Sequence, residues 1–211
     1  ILTNRSGSSA AAQVTLDAIK IGSETEVSVV AADVTDLAAM QRVVDLAESL
    51  APLKGIIHAA GIIDDGILLQ QTADRFEKVM APKVKGAWNL HKLTVDKKLD
   101  FFVSFSSTAS VLGVTGQSSY AAANAFLDSL AGYRGSLGLP ALTINWGGWK
   151  DTGMAAQLSE KDIEHLEQVG VKALSPEEGL RILGLLISQS AAVSESVAVL
   201  DVEWETFFKT Y

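Results

Sequence analysis

The sequence contains no cysteine, only 4 prolines and an excess of acidic over basic residues. Without cysteine there are no disulfides, no thiolate metal sites and no cysteine nucleophile. This absence is compatible with the reducing cytoplasm, where we expect the protein to act. Its 17 Lys plus Arg against 25 Asp plus Glu give a net charge of −8, which argues against a nucleic-acid partner. No apolar run reaches the ~18 residues of a membrane-spanning helix, so we expect no membrane segment.

The composition that remains is that of a globular domain. With 211 residues, 48% of them hydrophobic, the chain can form one domain with a sizeable core. No set of metal-ligating residues stands out, so we expect no metal. The sequence begins Ile-Leu-Thr-Asn, without Met or a signal segment, and we interpret it as part of a longer polypeptide.

Short apolar runs alternate with amphipathic stretches along the chain. The apolar and β-branched runs predict strands, and apolar residues at helical spacing predict helices. This alternation predicts a doubly wound α/β fold, in which ligands bind at the carboxyl ends of parallel strands. Pro82 is expected to bend or divide its helix. The predicted strands are 1–3, 27–32, 53–58, 101–106, 141–146 and 197–200, and the predicted helices are 8–21, 36–51, 72–95, 118–137, 162–170 and 176–190.

Four polar residues fall where this fold would bring them together. Tyr120 and Asn124 lie one turn apart on the helix 118–137, Ser107 follows a buried strand, and Lys83 lies on the preceding helix. A serine and a tyrosine can hold and protonate a carbonyl oxygen that is accepting hydride, and a nearby ammonium would lower the phenol pKa from about 10. The spacing alone also allows a purely structural interpretation of these residues, as a capped strand end, a surface lysine and a buried tyrosine.

The spacing resembles that of the short-chain dehydrogenase/reductase superfamily, and more narrowly the ketoreductase domains of modular polyketide synthases and animal-type fatty acid synthases. Ordinary short-chain reductases have a lysine four residues after the tyrosine, where this sequence has Asn124. The synthase ketoreductases have their lysine on the earlier helix, where Lys83 stands. The matching segments are Arg5-Ser6-Gly7, Ala32-Asp33-Val34-Thr35, His58-Ala59-Ala60-Gly61, Asp64-Asp65-Gly66, Ala81-Pro82-Lys83-Val84, Phe105-Ser106-Ser107, Tyr120 to Asp128, Asn145 to Trp149, and Asp201-Val202-Glu203-Trp204.

The resemblance implies a Rossmann-like ketoreductase domain over residues 1–211, with a lid at about 149–170. It implies an enzyme that uses NADPH to reduce a 3-oxoacyl thioester on an acyl carrier protein to the 3-hydroxyacyl thioester. The implied catalytic tetrad is Lys83, Ser107, Tyr120 and Asn124. Lys83 would hold the nicotinamide ribose and polarise Tyr120, and Asn124 would support a proton-relay water.

The resemblance also implies a set of cofactor contacts. Arg5 suits a 2′-phosphate, which favours NADPH over NADH; the alternative is a solvent-exposed arginine without this role. Asp33 resembles the family's adenine contact and could also be a helix N-terminal carboxylate. His58 is interpreted as a packed structural histidine. The implied cofactor-binding residues are Arg5, Ser6, Asp33, Val34, Ala59, Ala60, Gly61, Lys83 and Tyr120.

Two positions bear on stereochemistry. In these ketoreductases a Leu-Asp-Asp loop marks the B type, which gives a 3R hydroxyl, and here the triplet is Ile63-Asp64-Asp65. The opposite type has a tryptophan eight residues before the tyrosine, where this chain has Leu112. Ala122 replaces the proline of α-epimerising B types. The Asp-Asp-Gly sequence could also be a simple turn. The implied substrate and stereocontrol residues are Asp64, Asp65, Leu112, Trp146 and Met154, the last facing the acyl chain or pantetheine arm.

The family's glycine-rich phosphate loop has no counterpart in this sequence. The chain begins on the family's second strand, so in the order 3-2-1-4-5-6-7 the central first strand is missing. We therefore expect this segment to need upstream residues, or another chain, to fold and bind NADPH. The missing loop leaves open a catalytically inactive, structural reductase-like module of a synthase. A free-standing dehydrogenase of small alcohols is disfavoured by Asn124.

Overall fold

The computed structural model describes residues 1–8, 10–22, 25–153, 168–189 and 195–210. Parallel strands alternate with helices, which confirms the predicted α/β class. The predicted helix at 162–170 lies almost entirely outside the described residues. The strands are β1 (Leu2–Asn4), β2 (Val29–Ala31), β3 (Gly55–His58), β4 (Phe101–Ser107), β5 (Leu142–Trp146), β6 (Val171–Lys172), β7 (Glu195–Val199) and β8 (Asp201–Val202). The helices are α1 (Ala10–Gly22), α2 (Leu37–Leu50), α3 (Ala73–Thr94), α4 (Ala109–Leu112), α5 (Ser118–Ser136), α6 (Pro176–Gln189) and α7 (Trp204–Thr210), with a 3₁₀ turn at Leu68–Gln70.

The chain forms two compact units, and α3 contributes residues to both. Unit 1 comprises residues 1–54 and 85–98. In it β1 and β2 pair in parallel, with Leu2 opposite Val29. Helix α2 begins after Asp36, whose carboxylate accepts hydrogen bonds from the amides of Ala38 at 2.9 Å and Ala39 at 3.0 Å. This cap satisfies two amides that the first turn would otherwise leave unpaired.

Unit 2 comprises residues 55–84 and 99–211 and contains a parallel sheet in the order β3-β4-β5-β7. Val103 and Ile144, on its two central strands, are fully buried. That burial explains why neither β4 nor β5 contains a charged residue. Leu142, Trp146, Leu174 and Val199 complete the core cluster, against which α6 packs through Ile182, Leu183, Leu186 and Ile187.

A buried cation fixes the last turn of α5 in unit 2. The guanidinium of Arg134 lies 4.0 Å from the centre of the Phe102 ring on β4. Its Nε donates a hydrogen bond to the carbonyl oxygen of Pro140 at 3.1 Å. Arg134 is fully buried, so a cation–π contact and a backbone acceptor replace water around its charge.

The strand neighbours follow the order that the resemblance implies. In the described residues β1 pairs with β2 alone and β3 pairs with β4 alone. Each of these two strands thus has one edge without a partner in the described part of the chain. The antiparallel pair of β6 and β8 was not predicted, because two-residue strands carry no periodic signal.

Helices α1, α2, α3, α5 and α6 agree with the sequence pattern to within two residues at each end, whereas α7 was not predicted. Pro82 does not divide α3, which continues from Ala73 to Thr94 with the proline inside it. Ser175 caps α6, since its hydroxyl accepts from the amide of Glu178 at 3.2 Å. The one-turn helix α4 was not predicted, because four residues are too few to show a helical repeat.

Replacing Gly170 with alanine is expected to destabilise unit 2. Gly170 has a φ of 80°, and a Cβ there would lie 2.7 Å from the carbonyl oxygen of Glu203. The carbonyl of Gly170 also accepts a hydrogen bond from the amide of Glu203 at 2.8 Å, so neither backbone can move freely. We expect a loss of about 2 kcal/mol or more in the free energy of unfolding, measured by urea denaturation. Gly138→Ala is the matched control, because its φ of 69° carries the same strain in open space; an equal loss in both variants would contradict the role of the close contact.

Candidate active site

The four tetrad residues all belong to unit 2. Ser107 is the last residue of β4, and Tyr120 and Asn124 lie one turn apart near the start of α5. Lys83 comes from the middle of α3. Lys83, Tyr120 and Asn124 are buried, and Ser107 is partly buried.

Lys83 is a buried ammonium directed at the end of β4. It is 2% exposed, and its Nζ donates to the carbonyl oxygen of Phe105 at 2.7 Å. The same Nζ lies 5.6 Å from the centre of the Tyr120 ring. Burial lowers the pKa of Lys83 to about 8, and the negative charge of Asp128 acts in the opposite direction. The surface lysine left open by the spacing is thereby excluded.

Burial also sets the ionisation of Tyr120. Its ring packs in a cluster with Val79 and Ala109, and Ile63 lies against this cluster. Burial raises the pKa of the phenol; Asn124 and Ser107 lower it by a smaller amount, and the charge of Asp65 raises it further. The expectation that a nearby ammonium would lower this pKa was therefore wrong, because loss of water around the phenolate outweighs the polar neighbours.

Asn124 presents an unpaired buried acceptor. Its Nδ2 donates to the carbonyl oxygen of Tyr120 at 2.8 Å, one turn earlier on α5. Its Oδ1 is buried and forms no hydrogen bond with the described residues. A buried oxygen without a donor is costly, and a bound water or ligand hydroxyl would satisfy it. Ser107 Oγ accepts from the amide of Ala109 at 3.2 Å, which leaves its own proton available for an acceptor.

His58 is a structural residue, as interpreted from the sequence. It is buried at the end of β3, and its Nε2 lies 3.1 Å from the carbonyl oxygen of Pro82. Burial, with the adjacent Lys83 charge, lowers the pKa of His58 to about 4. The imidazole is therefore neutral near pH 7, and its Nε2 donates to Pro82, the residue preceding Lys83.

The loop that contains Asp64 and Asp65 is tied to two other elements. Arg75 on α3 donates two hydrogen bonds to the Asp64 carboxylate, one from Nε at 3.0 Å, and a third to the Asp65 carbonyl at 2.8 Å. Gln117 donates to the Asp65 carboxylate at 2.9 Å. The hydrogen bond to Arg75 lowers the pKa of Asp64, and Lys78 adds to this. The Asp64 carboxylate is thus already paired within the protein.

In unit 1, the predicted cofactor residues lie after β1 and β2. Arg5 is exposed, and the amide of Ser6 donates to Asn4 Oδ1 at 2.9 Å in a tight turn. Asp33 accepts from the amide and the hydroxyl of Thr35, both at 2.8 Å. These bonds lower the pKa of Asp33, with the charges of Arg5 and Lys85 adding to the effect.

Two residues of α3, Gly86 and Asn89, lie against Val34. A Cβ added to Gly86 would lie 2.7 Å from its Cγ1, and Asn89 Nδ2 donates to its carbonyl oxygen at 3.1 Å. The structure therefore gives Val34 a packing role whatever its part in binding.

The remaining predicted residues have different environments. Ala59 and Ala60 are exposed after β3, and Gly61 is partly buried. Leu112 ends α4 and is exposed. Trp146 is buried, with its ring centre 4.9 Å from that of Trp149 and 5.5 Å from that of Phe105, so it is part of the core. Met154 and most of the predicted lid lie outside the described residues.

Sequence reasoning missed several residues that hold the site. Arg75 and Gln117 fasten the Asp64–Asp65 loop, and Asp128 and Asn145 form a polar cluster next to Ser107. Asp128 had a usable signal, because Tyr120, Asn124 and Asp128 recur every four residues and so share one face of α5. The other three had none, because their contacts join segments far apart in sequence.

The described residues contain neither a candidate membrane span nor a candidate metal site. No helix among them is both long and apolar enough to cross a bilayer. In that same part of the chain, no three His, Asp or Glu side chains come together as ligands for a metal ion.

Comparison with known proteins places this geometry in a family. The model of the KR domain matches residues 1–151. The polyketide synthase GfsB of Streptomyces halstedii is 45% identical over 184 residues, which is 87% of this chain and 3% of GfsB. PlmKR1, a ketoreductase from the first module of phoslactomycin biosynthesis in Streptomyces sp. HK803, superimposes with a TM-score of 0.87 at 36% identity, over 99% of this chain and 47% of PlmKR1.

A second solved structure, an A1-type ketoreductase, gives a TM-score of 0.89 at 36% identity, over 99% of this chain and 43% of that one. This chain thus spans less than half of the solved ketoreductases and a small part of the synthase that it matches. The match over most of its length nevertheless fixes its relationship. The chain belongs to the KR domain family, the ketoreductase domains of polyketide synthases.

Proposed function

We propose that this domain reduces a 3-oxoacyl thioester, carried by an acyl carrier protein, to the 3-hydroxyacyl thioester, with NADPH as the reductant. The observation that carries the proposal is the convergence of Lys83, Ser107, Tyr120 and Asn124 in unit 2, with the lysine buried beside the tyrosine ring. A buried ammonium is costly, so its presence beside a phenol favours a chemical role. A structural module would have no need of this arrangement.

The tetrad side chains supply what a carbonyl reduction needs from a protein. The Ser107 hydroxyl and the Tyr120 phenol act as preorganised donors to the substrate oxygen, which becomes negative as its carbon is reduced. Tyr120 gives its proton to that oxygen, and the raised pKa keeps the phenol protonated at neutral pH. Lys83, as an ammonium, stabilises the phenolate that remains. Asn124 Oδ1 accepts a hydrogen bond from the water that returns the proton.

The residues present fit a nicotinamide dinucleotide. Lys83 has three N–H donors and donates one to Phe105, so two can bind ribose hydroxyls. Ala59 and Ala60 are exposed and have no bulky side chain, which permits close approach of a ribose. The exposed guanidinium of Arg5 can bind a 2′-phosphate, with Ser6 beside it, and Asp33 and Val34 would face the adenine. When bound, NADPH supplies the hydride.

We further propose that the product is the 3R alcohol. The support is the Ile63-Asp64-Asp65 triplet, the absence of tryptophan at Leu112 and the anchoring of Asp64 and Asp65 by Arg75 and Gln117. Ile63 packs against the cluster that contains the Tyr120 ring, and the charge of Asp65 raises the pKa of the Tyr120 phenol, which supports a role for this loop beside the tetrad. Similarity of fold does not distinguish the 3R from the 3S product, because a solved A1-type ketoreductase superimposes as well as the others.

The proposed partners are the acyl carrier protein and a further strand with a glycine-rich loop. Among the described residues β1 pairs only with β2 and β3 only with β4, so upstream residues or another chain could add a further strand to either. A single buried, unpaired amide or carbonyl costs about 1–3 kcal/mol, so this strand would contribute strongly to stability.

Turnover by the native polypeptide, upstream residues included, is the direct test. We expect a 3-oxoacyl pantetheine thioester to oxidise NADPH, with at least ~10-fold lower kcat/KM for NADH because the Arg5 contact is lost. Chiral analysis of the alcohol should give the 3R product. A 3S product would contradict the stereochemical proposal alone, and a folded protein without turnover would contradict the reductase assignment.

A further inference from the structure

A buried polar cluster joins five elements of unit 2 next to the tetrad. Asn145, on β5, is almost fully buried, and its Nδ2 lies 2.9 and 3.0 Å from the two carboxylate oxygens of Asp128 on α5. The same Nδ2 lies 2.8 Å from Ser110 Oγ on α4 and 3.1 Å from Ser106 Oγ on β4. Asn145 Oδ1 accepts from Ser196 on β7 at 2.6 Å, which fixes the orientation of the amide.

The cluster is bonded to the backbone of two tetrad residues. Ser110 Oγ lies 2.7 Å from Asp128 Oδ2 and 2.9 Å from the carbonyl oxygen of Ser107. Ser106 Oγ donates to the carbonyl oxygen of Asn124 at 3.3 Å. The end of β4, which carries Ser107, is thereby joined to the face of α5 that carries Asn124 and Tyr120. A shift in the cluster would move the serine relative to the tyrosine.

Asp128 is the one charged member of this cluster, and its charge acts on Lys83. Several other groups face Lys83. The Tyr120 ring on α5 and the Phe105 carbonyl on β4 lie against its ammonium, which also lowers the pKa of the neutral His58 on β3, while the charge of Asp65 acts on Tyr120. Among the described residues, Asp128 is the carboxylate whose negative charge raises the pKa of Lys83. Asn145 and Ser110 hold that carboxylate at a fixed place.

We propose that Asp128 is a positioning residue for the reduction: its carboxylate, fixed by Asn145 and Ser110, holds α5 against the end of β4 and provides the counter-charge for Lys83. This inference rests on the proposed function, since the atoms that it positions are those of the tetrad. Asp128 contacts neither substrate nor cofactor in this role. It acts through the placement of Ser107 and the charge of Lys83.

Asp128→Asn tests the charge while keeping the shape of the side chain. We expect kcat for thioester reduction by the native polypeptide to fall about 10- to 100-fold, as small misplacements of reacting groups cost up to ~10²-fold. We also expect the alkaline limb of the kcat profile to move to lower pH, because Lys83 would lose its ammonium proton earlier. Asp128→Glu restores the charge and should return the limb towards its original position. Asp96→Asn, an exposed change of the same net charge, is the matched control.

The titration of Lys83 can be read without turnover. Side-chain ¹⁵N NMR of the ligand-free protein, with the signal assigned through Lys83→Met, should show a lower pKa for Lys83 in Asp128→Asn than in the wild type. Unchanged titration together with an unmoved kcat limb would overturn the proposal, even if Asp128→Asn lowers the melting temperature. If the wild type fails to reduce the thioester, the proposed function fails, and the NMR titration still decides whether Asp128 is the counter-charge.

Discussion

Tyr120→Phe is expected to lower kcat by about 10³-fold, within the ~10²–10⁴-fold that a positioned proton donor contributes. The variant keeps the ring that packs against Val79 and Ala109 and loses only the hydroxyl. Because the ring supplies the packing contacts and stays in place, we expect the fold to remain intact. The measurement is steady-state reduction of the thioester, accompanied by the melting temperature and the dissociation constant of NADPH, both of which we expect to change little.

Tyr133→Phe provides the control for Tyr120. It makes the same substitution on the same helix, at an exposed position near the end of α5. We expect wild-type kcat for this variant. Tyr120→Phe activity within a few-fold of the wild type would identify some other group as the proton donor.

Lys83→Met is expected to lose most of the activity and to gain stability. The ammonium of Lys83 is buried, and its pKa of about 8 lies below the ordinary value of 10.5. At ~1.4 kcal/mol per pKa unit, keeping it charged at pH 7 costs the folded state roughly 3 kcal/mol. Methionine fills similar volume without the charge but leaves the Phe105 carbonyl with one donor fewer. We therefore expect a net gain of about 2 kcal/mol in the free energy of unfolding at pH 7.

The gain should depend on pH in a defined window. Below about pH 8 the lysine is protonated in both the folded and the unfolded chain, so the folded wild type carries the full cost of burying the ammonium. Between about 8 and 10.5 the folded state loses its proton first, and the wild type becomes more stable as the pH rises. The advantage of Lys83→Met should fade across this window in urea titrations. Lys92→Met, exposed on the same helix, should show no such trend; a destabilised Lys83→Met at pH 7 would contradict the argument.

Local patterns predicted the elements that carry the tetrad. β4 begins with an apolar run and contains no charged residue because both of its faces are largely buried, and α5 and α3 showed their helical spacing within a residue or two of the observed ends. The placement of Ser107 at a strand end and of Tyr120 with Asn124 on one helix face follows from these periods alone. Such positions are predictable because the signal lies within the element.

What the sequence could not predict depends on burial and on pairing between distant segments. The predicted direction of the Tyr120 pKa shift was wrong, because residue spacing does not show how much water the phenol loses on burial. The hydrogen bonds between Asn145 and Asp128 and between Arg75 and Asp64 join residues that are 17 and 11 positions apart in sequence. No local pattern marks either pair. α4, β6 and β8 contain too few residues to show a periodic hydrophobic pattern.

The buried Arg134 has a consequence for how this domain could accommodate varied substrates. α5 is fastened at its last turn by Arg134 against Phe102, and nearer its start by the Asp128 cluster. A helix held at both places has little freedom to move as a rigid body. Under the proposed function, Tyr120 would therefore keep its place whatever chain is bound, and adjustment to acyl groups of different size would fall to other segments of the domain.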